Sequence, residues 1–282
     1  MTNAPFGRYA PPGWCQFLIR ICQRIPTQTW LGKRLAFILR KPVLLRKQSP
    51  VDTIVQNVCF RLEPKNNLSD KRLLCTPSLL DGIERNFFAQ NLPPQALVLD
   101  IGANIGGYGL LLAAARPDIS LIAVEADPLM AKRLSRHIEF SHLEGRCTVV
   151  EAAATPATGT VELFVDTVNR GCSSLVAVGK DEDKGERSER TGDSILVQGL
   201  TLLDIMGQCN QAKVNLLKMD IEGYEFPVLE AFLQQAESDS WPDYIQLEQY
   251  RKQTFNPAVK IALEKGYEIT FQTRMNVVLK KA

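Results

Sequence analysis

The stretch from residue 97 to residue 115 constrains the fold more than any other part of the chain. The apolar run at 97–101 leads into a turn with glycine at 102, 106 and 107, and an apolar helical pattern follows over 107–115. A buried strand that enters a helix through a glycine-rich turn is typical of parallel α/β sheets, which bind nucleotide-type ligands at the carboxyl ends of their strands. We therefore expect a ligand site next to this turn.

Further strand and helix patterns alternate along the chain after this turn. The five strand candidates of the core lie at 97–101, 121–125, 147–150, 214–219 and 244–248, and the helix candidates lie at 107–115, 128–140 and 225–235. This alternation predicts an α/β fold with a doubly wound, mostly parallel sheet. The last two strand candidates, 267–270 and 277–280, flank a loop around Thr273 and Arg274, which is typical of an antiparallel hairpin.

An insertion separates the third and fourth strands of the predicted core. It contains strand candidates at 161–165 and 195–197, joined through a charged loop at 179–193 that lacks apolar residues. We expect a solvated loop there, with a lid over the site as the alternative.

The first 50 residues differ from the rest in charge. They hold nine of the 33 basic residues and none of the 31 acidic ones, so the remaining chain carries a net charge of −7. Apolar residues recur at helical spacing over 14–25 and over 31–39, and Pro26 and Pro42 are expected to end these helices. Two short basic helices are predicted, whose apolar faces dock on the main domain or contact a membrane surface or another subunit.

The sequence divides into three parts. We expect a basic helical extension at 1–50, a lead-in at 51–92 and the ligand-binding domain at 93–282. The lead-in is predicted to hold either a strand pair or a strand and turn at 51–62, and a helix at 79–91. The chain is 45 percent apolar and 23 percent charged, which excludes disordered and collagen-like classes. The acidic body is expected to repel nucleic acid, so no nucleic acid partner is predicted.

The cysteine content and the apolar runs indicate the compartment. Seven scattered cysteines without a CxxC pair argue against a zinc site or a disulfide framework, and favour a reducing cytoplasm. No apolar run reaches the ~20 residues of a membrane-spanning helix, so neither such a helix nor a signal peptide is expected. We predict a cytoplasmic protein, with peripheral contact at the inner face of the membrane as an option.

Two carboxylates at predicted strand ends indicate the kind of ligand. Asp100 would repel a dinucleotide pyrophosphate and attract the ammonium group of an amino acid, as S-adenosylmethionine carries. Glu125 ends the next strand, where a carboxylate can accept both hydroxyls of a ribose, although it could instead cap the helix that begins near Pro128. The pattern favours S-adenosylmethionine over NAD, and a nicotinamide oxidoreductase is the less favoured interpretation.

Three further carboxylates follow the fourth and fifth strands of the predicted core. Asp220 and Glu222 point the same way if the chain stays extended, and Glu248 ends the fifth strand near the same crevice. They could serve a general base or hold a divalent cation such as Mg²⁺, while helix capping and surface solvation are the alternatives. Surface roles are expected for His137 and His142.

At these positions the chain resembles the FkbM family of S-adenosylmethionine-dependent methyltransferases. The resemblance spans 98–250 and rests on six segments: DIGANIGGYG, AVEADPLMAKRL, VVEAAAT, the 171–175 turn, LKMDIEGYEFPVLEA and LEQ. At 124–127 this chain has Val-Glu-Ala-Asp where the family often has Phe-Glu-Pro-Asn. The resemblance implies a class I methyltransferase fold, Rossmann-like, with one antiparallel strand near the edge of the sheet.

The resemblance also implies roles for individual residues. The methionine part of the cofactor would contact Asp100, Gly102, Asn104 and Gly106. Glu125 would bind the ribose, Ala126 and Ala153 would flank the adenine, and Asp220 would lie nearest the sulfonium and the acceptor. Asp220, Glu222 and Glu248 are the catalytic candidates, and the same three are the candidates if a metal is used.

The family resemblance implies methylation of a hydroxyl oxygen. The acceptor would be a saccharide, a glycolipid or a polyketide-type small molecule. The competing hypothesis is a catalytically idle module of the same fold that binds a ligand or docks on a membrane. The sequence leaves the oligomeric state open.

Overall fold

We describe a computed structural model that covers residues 4–27, 29–46, 49–65, 67–166, 175, 194–249 and 256–282. The loop predicted at 179–193 and the turn at 171–174 lie outside these residues. The chain begins with helices α1 and α2, a hairpin of β1 and β2, and helices α3 and α4. Their bounds are Gly13–Arg24, Trp30–Leu44, Val51–Val55, Val58–Leu62, Leu68–Cys75 and Gly82–Asn91.

The main sheet is built from the elements that follow. Strands β3 (Leu97–Ile101), β4 (Ser120–Glu125) and β5 (Cys147–Glu151) alternate with helices α5 (Gly109–Ala115) and α6 (Pro128–Ser141). The short strand β6 (Ala153–Ala154) then pairs with β8 (Ser194–Leu200), which in turn pairs with β7 (Gly159–Phe164) in a small separate sheet.

The second half of the main sheet follows this small sheet. Its strands are β9 (Leu216–Met219), β10 (Tyr244–Glu248), β11 (Tyr267–Gln272) and β12 (Asn276–Lys281), and its helices are α7 (Leu202–Gln208), α8 (Glu225–Gln235) and α9 (Pro257–Glu264).

The seven strands of the main sheet run in the order β11, β12, β10, β9, β3, β4, β5. Strands β10, β9, β3, β4 and β5 are mutually parallel, and β12 runs antiparallel to both of its neighbours. This arrangement confirms the predicted mostly parallel sheet with one antiparallel strand near the edge. The closing hairpin is confirmed as well.

Apolar layers cover both faces of the sheet because alternate residues of the central strands point to opposite sides. Val98 packs with α4, α5 and α6 on one face, whereas Leu99 and Ile101 pack with α7, α8 and α9 on the other. By the same alternation Asp100 points to the side of Val98, towards the start of α5. The sheet therefore carries a charged residue into its interior at that point.

The N-terminal helices bury a different face from the one that the sequence pattern suggested. The buried residues of α1 are Cys15, Ile19 and Cys22, while Trp14 and Phe17 are 52 and 63 percent exposed. α2 continues through Pro42 to Leu44, so the expected stop at Pro42 is wrong. Proline keeps a helical φ and lacks only its own N–H donor, and in the last turn that loss does not end the helix.

The expected surface role of His137 is also wrong, since its ring is fully buried between α6 and β2. Its Nδ1 lies 3.0 Å from the carbonyl oxygen of Ile105, and its Nε2 accepts the backbone N–H of Arg61 at 3.1 Å. Burial lowers the pKa of His137 to about 4, so the ring is neutral at physiological pH. His142 is exposed, as predicted, and follows the last turn of α6.

The helices in the described part of the chain include none with the length and apolarity needed to cross a bilayer. The six cysteines among the described residues are all free thiols.

A buried ion pair ties the start of the chain to the β1–β2 hairpin. Asp52 accepts the Arg61 Nε–H at 2.7 Å and also the backbone N–H groups of Gly7 and Tyr9. Arg61 also donates to the carbonyl oxygens of Ala4 and Pro5. The pair therefore joins the first described residues to the body of the protein.

We predict that Asp52→Ala lowers the free energy of unfolding by about 3–5 kcal/mol, because it removes the buried carboxylate that pairs with the Arg61 guanidinium. Urea denaturation followed by circular dichroism measures this loss. Glu264→Ala is the control, since Glu264 pairs with Lys260 at 3.8 Å on the exposed surface and should change stability little. Equal losses in both variants would contradict a structural role for the Asp52 pair.

Candidate functional site

A cavity of about 320 Å³ lies at the carboxyl ends of β3, β4, β9 and β10. The strand ends contribute Ile101, Val124, Lys218 and Glu248 to its wall. The loops after the strands and helix α3 complete it. A cavity at this edge of a parallel sheet is the usual ligand site of doubly wound folds.

The turn after β3 needs glycine at position 102 because another loop lies against it. Gly102 has φ +75°, and a Cβ atom there would lie 2.0 Å from the carbonyl oxygen of Asp220. The N–H groups of Gly102 and Ala103 both donate to the carbonyl oxygen of Val124, at 3.0 Å each. The loops after β3 and β9 thus touch through their backbones and form one wall of the cavity.

Glu125 and Asn104 form an adjoining part of the wall. The Glu125 carboxylate accepts the N–H of Asn104 at 2.7 Å and the N–H of Asp127 at 2.8 Å. Burial raises the pKa of Glu125 to about 7, although both backbone donors act in the opposite direction. The Oδ1 atom of Asn104 is buried and has no hydrogen-bond partner among the described residues. Asp127 caps helix α6, because its side chain accepts the N–H of Leu129. Glu125 is therefore not the cap of this helix, and its carboxylate can face the cavity.

A buried lysine that the sequence reasoning missed stands at the centre of the site. Lys218 Nζ lies 3.2 Å from Asp100 Oδ1 and 3.4 Å from Asp220 Oδ2, and it donates to the carbonyl oxygen of Gly102 at 3.5 Å. Burial alone would lower the pKa of Lys218, but the carboxylates of Asp100, Asp220 and Asp81 outweigh it and raise the pKa above its usual value. Lys218 is therefore a permanent cation at the cavity wall.

Strand register explains why Lys218 meets Asp100. The two residues are direct partners in the β3–β9 ladder, and Gln246 is the partner of Lys218 in β10. Direct partners in neighbouring strands carry their side chains on the same face of the sheet. Asp100, Lys218 and Gln246 therefore form one row across β3, β9 and β10. The sequence signal for this row is a polar residue inside each of these three otherwise apolar strands.

Of the sequence-predicted site residues, all but two line the cavity. Those that line it are Gly102, Asn104, Glu125, Ala126, Ala153, Asp220, Glu222 and Glu248. Asp100 is fully buried beneath the wall, where its Oδ2 accepts the N–H of Gly109 at 3.1 Å. Gly106, with φ +86°, packs against Leu110 and Leu134 on the side of α5 and α6.

The loop after β9 turns earlier than the sequence suggested. Glu222 has φ +51°, so the chain is no longer extended there, and Gly223 follows at +96°. Glu225 stabilises this turn, because its Oε1 accepts the N–H groups of Ile221 at 3.0 Å and Gly223 at 3.4 Å. Asp220 and Glu222 both reach the cavity through this turn and not through an extended strand end.

A second polar cluster on the cavity wall was not predicted. Tyr108 donates its hydroxyl to Gln246 Oε1 at 2.7 Å, and Gln246 donates to Asp81 Oδ2 at 3.4 Å. Asn276, from the closing hairpin, donates to Asp81 Oδ1 at 3.0 Å. Burial, reinforced by the Glu84 charge, raises the pKa of Asp81 to about 6. The Asp81-Gly82 pair before α4 was the only sequence signal for this cluster.

The three candidate metal ligands do not form a metal site in the part of the chain that is described. Within those residues, no group of three or more His, Cys, Asp or Glu side chains is placed to hold a metal ion. Asp220 instead has Lys218 as a neighbour, and this cation already compensates its charge. We therefore do not assign Asp220, Glu222 and Glu248 as ligands of Mg²⁺.

The order of the strands, with one antiparallel strand near the edge, is that expected of the class I methyltransferase fold. The family model described as "Methyltransferase FkbM domain" matches residues 100–269, which make up more than half of the chain. The chain therefore belongs to the FkbM methyltransferase family, as the sequence motifs implied.

Two curated relatives of this chain are named as methyltransferases. "Methyltransferase sdnD" of Sordaria araneosa is 26 percent identical over 202 residues, which cover 64 percent of this chain and 76 percent of that protein. "Methyltransferase 1" of Beauveria bassiana is 24 percent identical over 159 residues, or 52 percent of this chain and 62 percent of that one. Among solved structures, the METTL16 MTase domain has 13 percent identity and a TM-score of 0.49, with 80 and 73 percent of the two chains covered.

We predict that Lys218→Met destabilises the protein more at pH 8 than at pH 5. Without the lysine the buried Asp100 loses its countercharge and its pKa rises, so protonation at low pH relieves the unpaired charge. A carboxyl group with a raised pKa lowers stability as the pH increases, which fixes the sign of the effect.

The double variant Lys218→Met/Asp100→Asn is the matched control, because it removes both charges. It should recover most of the lost free energy of unfolding and remove the extra pH dependence. Denaturant titrations at the two pH values measure both quantities. A double variant that is less stable by the sum of the single losses would show that the two side chains do not act as a pair.

Proposed function

We propose that this protein transfers a methyl group from S-adenosylmethionine to a hydroxyl oxygen of a small acceptor. The observation that carries the proposal is the cavity of this FkbM family member, in which the Gly102 turn, Glu125 and Asp220 line one wall.

The residues present fit S-adenosylmethionine. Asn104 Oδ1 is a buried acceptor without a partner among the described residues, which suits the ammonium group of the cofactor. Glu125 lines the cavity and keeps acceptor capacity beyond its two backbone donors, so it can bind the ribose hydroxyls. Ala126 and Ala153 leave room for a flat adenine between them. Asp100 lies beneath the cavity wall, where it holds Lys218 and the start of α5 in place.

When bound, S-adenosylmethionine supplies a methyl group activated by a positively charged sulfur. Methyl transfer is a direct displacement in which the new O–C bond forms as the C–S bond breaks, so alignment and exclusion of water are the main tasks of the protein. The Gly102 turn and the Asp220 loop provide a rigid wall for that alignment. Asp220 takes the hydroxyl proton, which balances the charge as the sulfur becomes neutral.

Lys218 supports Asp220 in this role. Its Nζ lies between Asp100 and Asp220, which orients the Asp220 carboxylate without burying it, since 46 percent of that side chain is exposed. Glu222 and Glu248 line the same cavity and are proposed to contact the acceptor.

The remaining wall indicates the kind of acceptor. Four leucines, at 68, 73, 79 and 80, and Met275 give this wall an apolar character, and Asp81 and Asn276 add polar groups. Such a wall suits a molecule with both apolar and hydroxylated parts, and so supports a glycolipid or polyketide-type acceptor over a bare saccharide. Arg72 lines the cavity as well and would favour an acceptor with an acidic group.

The first experiment identifies the acceptor. Purified protein is incubated with labelled S-adenosylmethionine and a fractionated cell extract, and the labelled product is identified by mass spectrometry. A methyl ether in the product supports the proposal. Methylation of nitrogen or carbon contradicts the hydroxyl assignment, and cofactor binding without any labelled product favours the idle binding module.

We predict that S-adenosylhomocysteine binds and that NAD does not, since the turn N–H groups of residues 102, 103, 104 and 106, which could otherwise bind a pyrophosphate, already donate within the protein. Glu125→Ala should weaken binding by about 1–3 kcal/mol, the value of charge-assisted hydrogen bonds. Isothermal titration calorimetry measures the change. Glu151→Ala, its exposed partner in β5, is the control that should keep the affinity of the unchanged protein. Tight NAD binding would overturn the cofactor assignment.

We predict that Asp220→Asn lowers kcat by about 100-fold or more, the usual scale for removing a general base, and leaves cofactor affinity nearly unchanged. The acceptor found above and a coupled assay for S-adenosylhomocysteine provide the measurement. Wild-type turnover in this variant would assign Asp220 a structural role.

The pH profile tests the second polar cluster. Asp81 has its pKa raised to about 6, so its charged form is lost as the pH falls below that value. We expect kcat/KM for the acceptor to decline below about pH 6, and Asp81→Asn to remove that decline while most of kcat remains. If Asp81→Asn abolishes turnover and Asp220→Asn does not, then the base is Asp81.

A further inference from the structure

Helix α2 presents an apolar stripe to solvent. Leu31, Leu35 and Ile38 lie along one side of the helix, and Leu45 follows directly after its last residue on the same side. The four side chains are 48 to 81 percent exposed. We call these four residues the α2 stripe. The core-facing side of the same helix is a different one, marked by the buried Ala36 and Val43. Exposed apolar side chains that follow one another along one side of a helix are typical of an interaction surface.

Positive charges accompany the α2 stripe. Arg34 and Lys41 each lie three residues after a member of the stripe, at a spacing that makes them neighbours on the helix surface. The Arg34 guanidinium stacks 3.9 Å above the ring of Trp30, which is itself 63 percent exposed. No acidic residue precedes Asp52 in the sequence. The helix surface therefore combines aliphatic, aromatic and cationic groups, and residues 1–51 contribute no negative side chain to it.

Helix α1 adds to this surface. Trp14 and Phe17 are exposed, and half of the large exposed apolar residues in the described chain belong to residues 14–45. Aromatic side chains beside lysine and arginine are characteristic of helices that lie in the interface of a bilayer. The remaining chain carries a net charge of −7, so an anionic surface would attract the N-terminal helices and repel the rest.

We propose that α1 and α2 dock this protein on an anionic lipid bilayer. The α2 stripe enters the boundary between headgroups and acyl chains, and Arg34 and Lys41 contact the headgroup phosphates. A second copy of this chain is a poorer occupant, because a contact between two α2 stripes would bring Arg34 and Lys41 of both copies together. Nucleic acid is also poorer, since a phosphate backbone offers nothing to four exposed aliphatic side chains.

The docking surface is connected to the catalytic cavity through helix α3. Gln23 of α1 donates to the carbonyl oxygen of Leu74 in α3 at 3.0 Å, and the hydroxyls of Thr27 and Ser78 lie 2.6 Å apart. α3 contributes Leu68 and Arg72 to the wall of the cavity. Docking would thus hold one wall of the cavity close to the membrane, although the docking itself does not depend on the proposed reaction.

Vesicle flotation with the full chain tests the proposal. The probes are vesicles of phosphatidylcholine alone and of phosphatidylcholine mixed with phosphatidylglycerol. We expect binding to the mixed vesicles, little binding to the neutral ones, and release by high salt because the electrostatic part is screened. Equal binding to both kinds of vesicle, or binding to neither, would overturn the proposal.

Two variants separate the apolar and electrostatic parts. Leu31→Gln/Ile38→Gln and Arg34→Glu/Lys41→Glu should each weaken binding to mixed vesicles by about tenfold or more, given the contribution of apolar insertion and of each surface cation. All four side chains are exposed, so circular dichroism should show an intact fold.

Matched controls use exposed residues elsewhere. Leu196→Gln, at a position 76 percent exposed, and Lys132→Glu/Lys260→Glu should bind within about twofold of the unchanged protein, because they lie outside the docking surface. Losses in these controls as large as those in the test variants would contradict a specific surface.

A second copy of this chain or a nucleic acid on the docking surface would each give a different experimental result. If light scattering shows a dimer without lipid that Leu31→Gln/Ile38→Gln converts to a monomer, the stripe is a subunit interface and the proposal fails. If a DNA or RNA oligonucleotide competes with mixed vesicles and the Leu31→Gln/Ile38→Gln variant keeps its affinity for both, the contact is purely electrostatic and the proposal also fails.

Discussion

The close approach of two loops at Gly102 is the constraint on which the site depends. The backbone of the Asp220 loop occupies the space that any side chain at 102 would need, and Asp220 N–H donates to the carbonyl oxygen of Ile101 at 3.1 Å. This contact can form only where β3 and β9 are adjacent and parallel. It brings Lys218 under the turn, where its charge compensates Asp100 and Asp220 together. The order of the strands, the glycine turn at 102 and the buried Lys218 therefore depend on one another.

The fold was predictable because its signals are local. The apolar strands are short and separated by helices of clear periodicity, and the predicted bounds at 97–101, 244–248 and 225–235 match the observed elements. The N-terminal helices were predicted to form, but their buried faces were not. Both sides of α1 and α2 carry apolar residues, and periodicity alone cannot show which side meets the core when cysteine and alanine take the buried positions.

The site was predictable only in part, because burial and register are not local properties. The carboxylates at strand ends were found, since strand ends of parallel sheets converge on one edge. Asp100 was expected to touch the ligand, yet strand alternation carries it beneath the cavity wall, towards α5. Lys218 required knowledge that β9 lies beside β3 in register. The role of Asp81 could be predicted only if its contact with Asn276 of the closing hairpin were known, and the two residues are almost 200 positions apart.

The cavity wall divides along the chain in a way that bears on how acceptor preference can change. The wall proposed to hold the cofactor is built from the strand-end loops within the matched range 100–269, whereas Arg72, Asp81 and Asn276 lie outside that range. Those three come from a helix and a turn before the domain and from the last strand after it. Under the proposed function, the part of the acceptor wall formed by these three residues can therefore change without altering the strand-end loops proposed to hold the methyl donor.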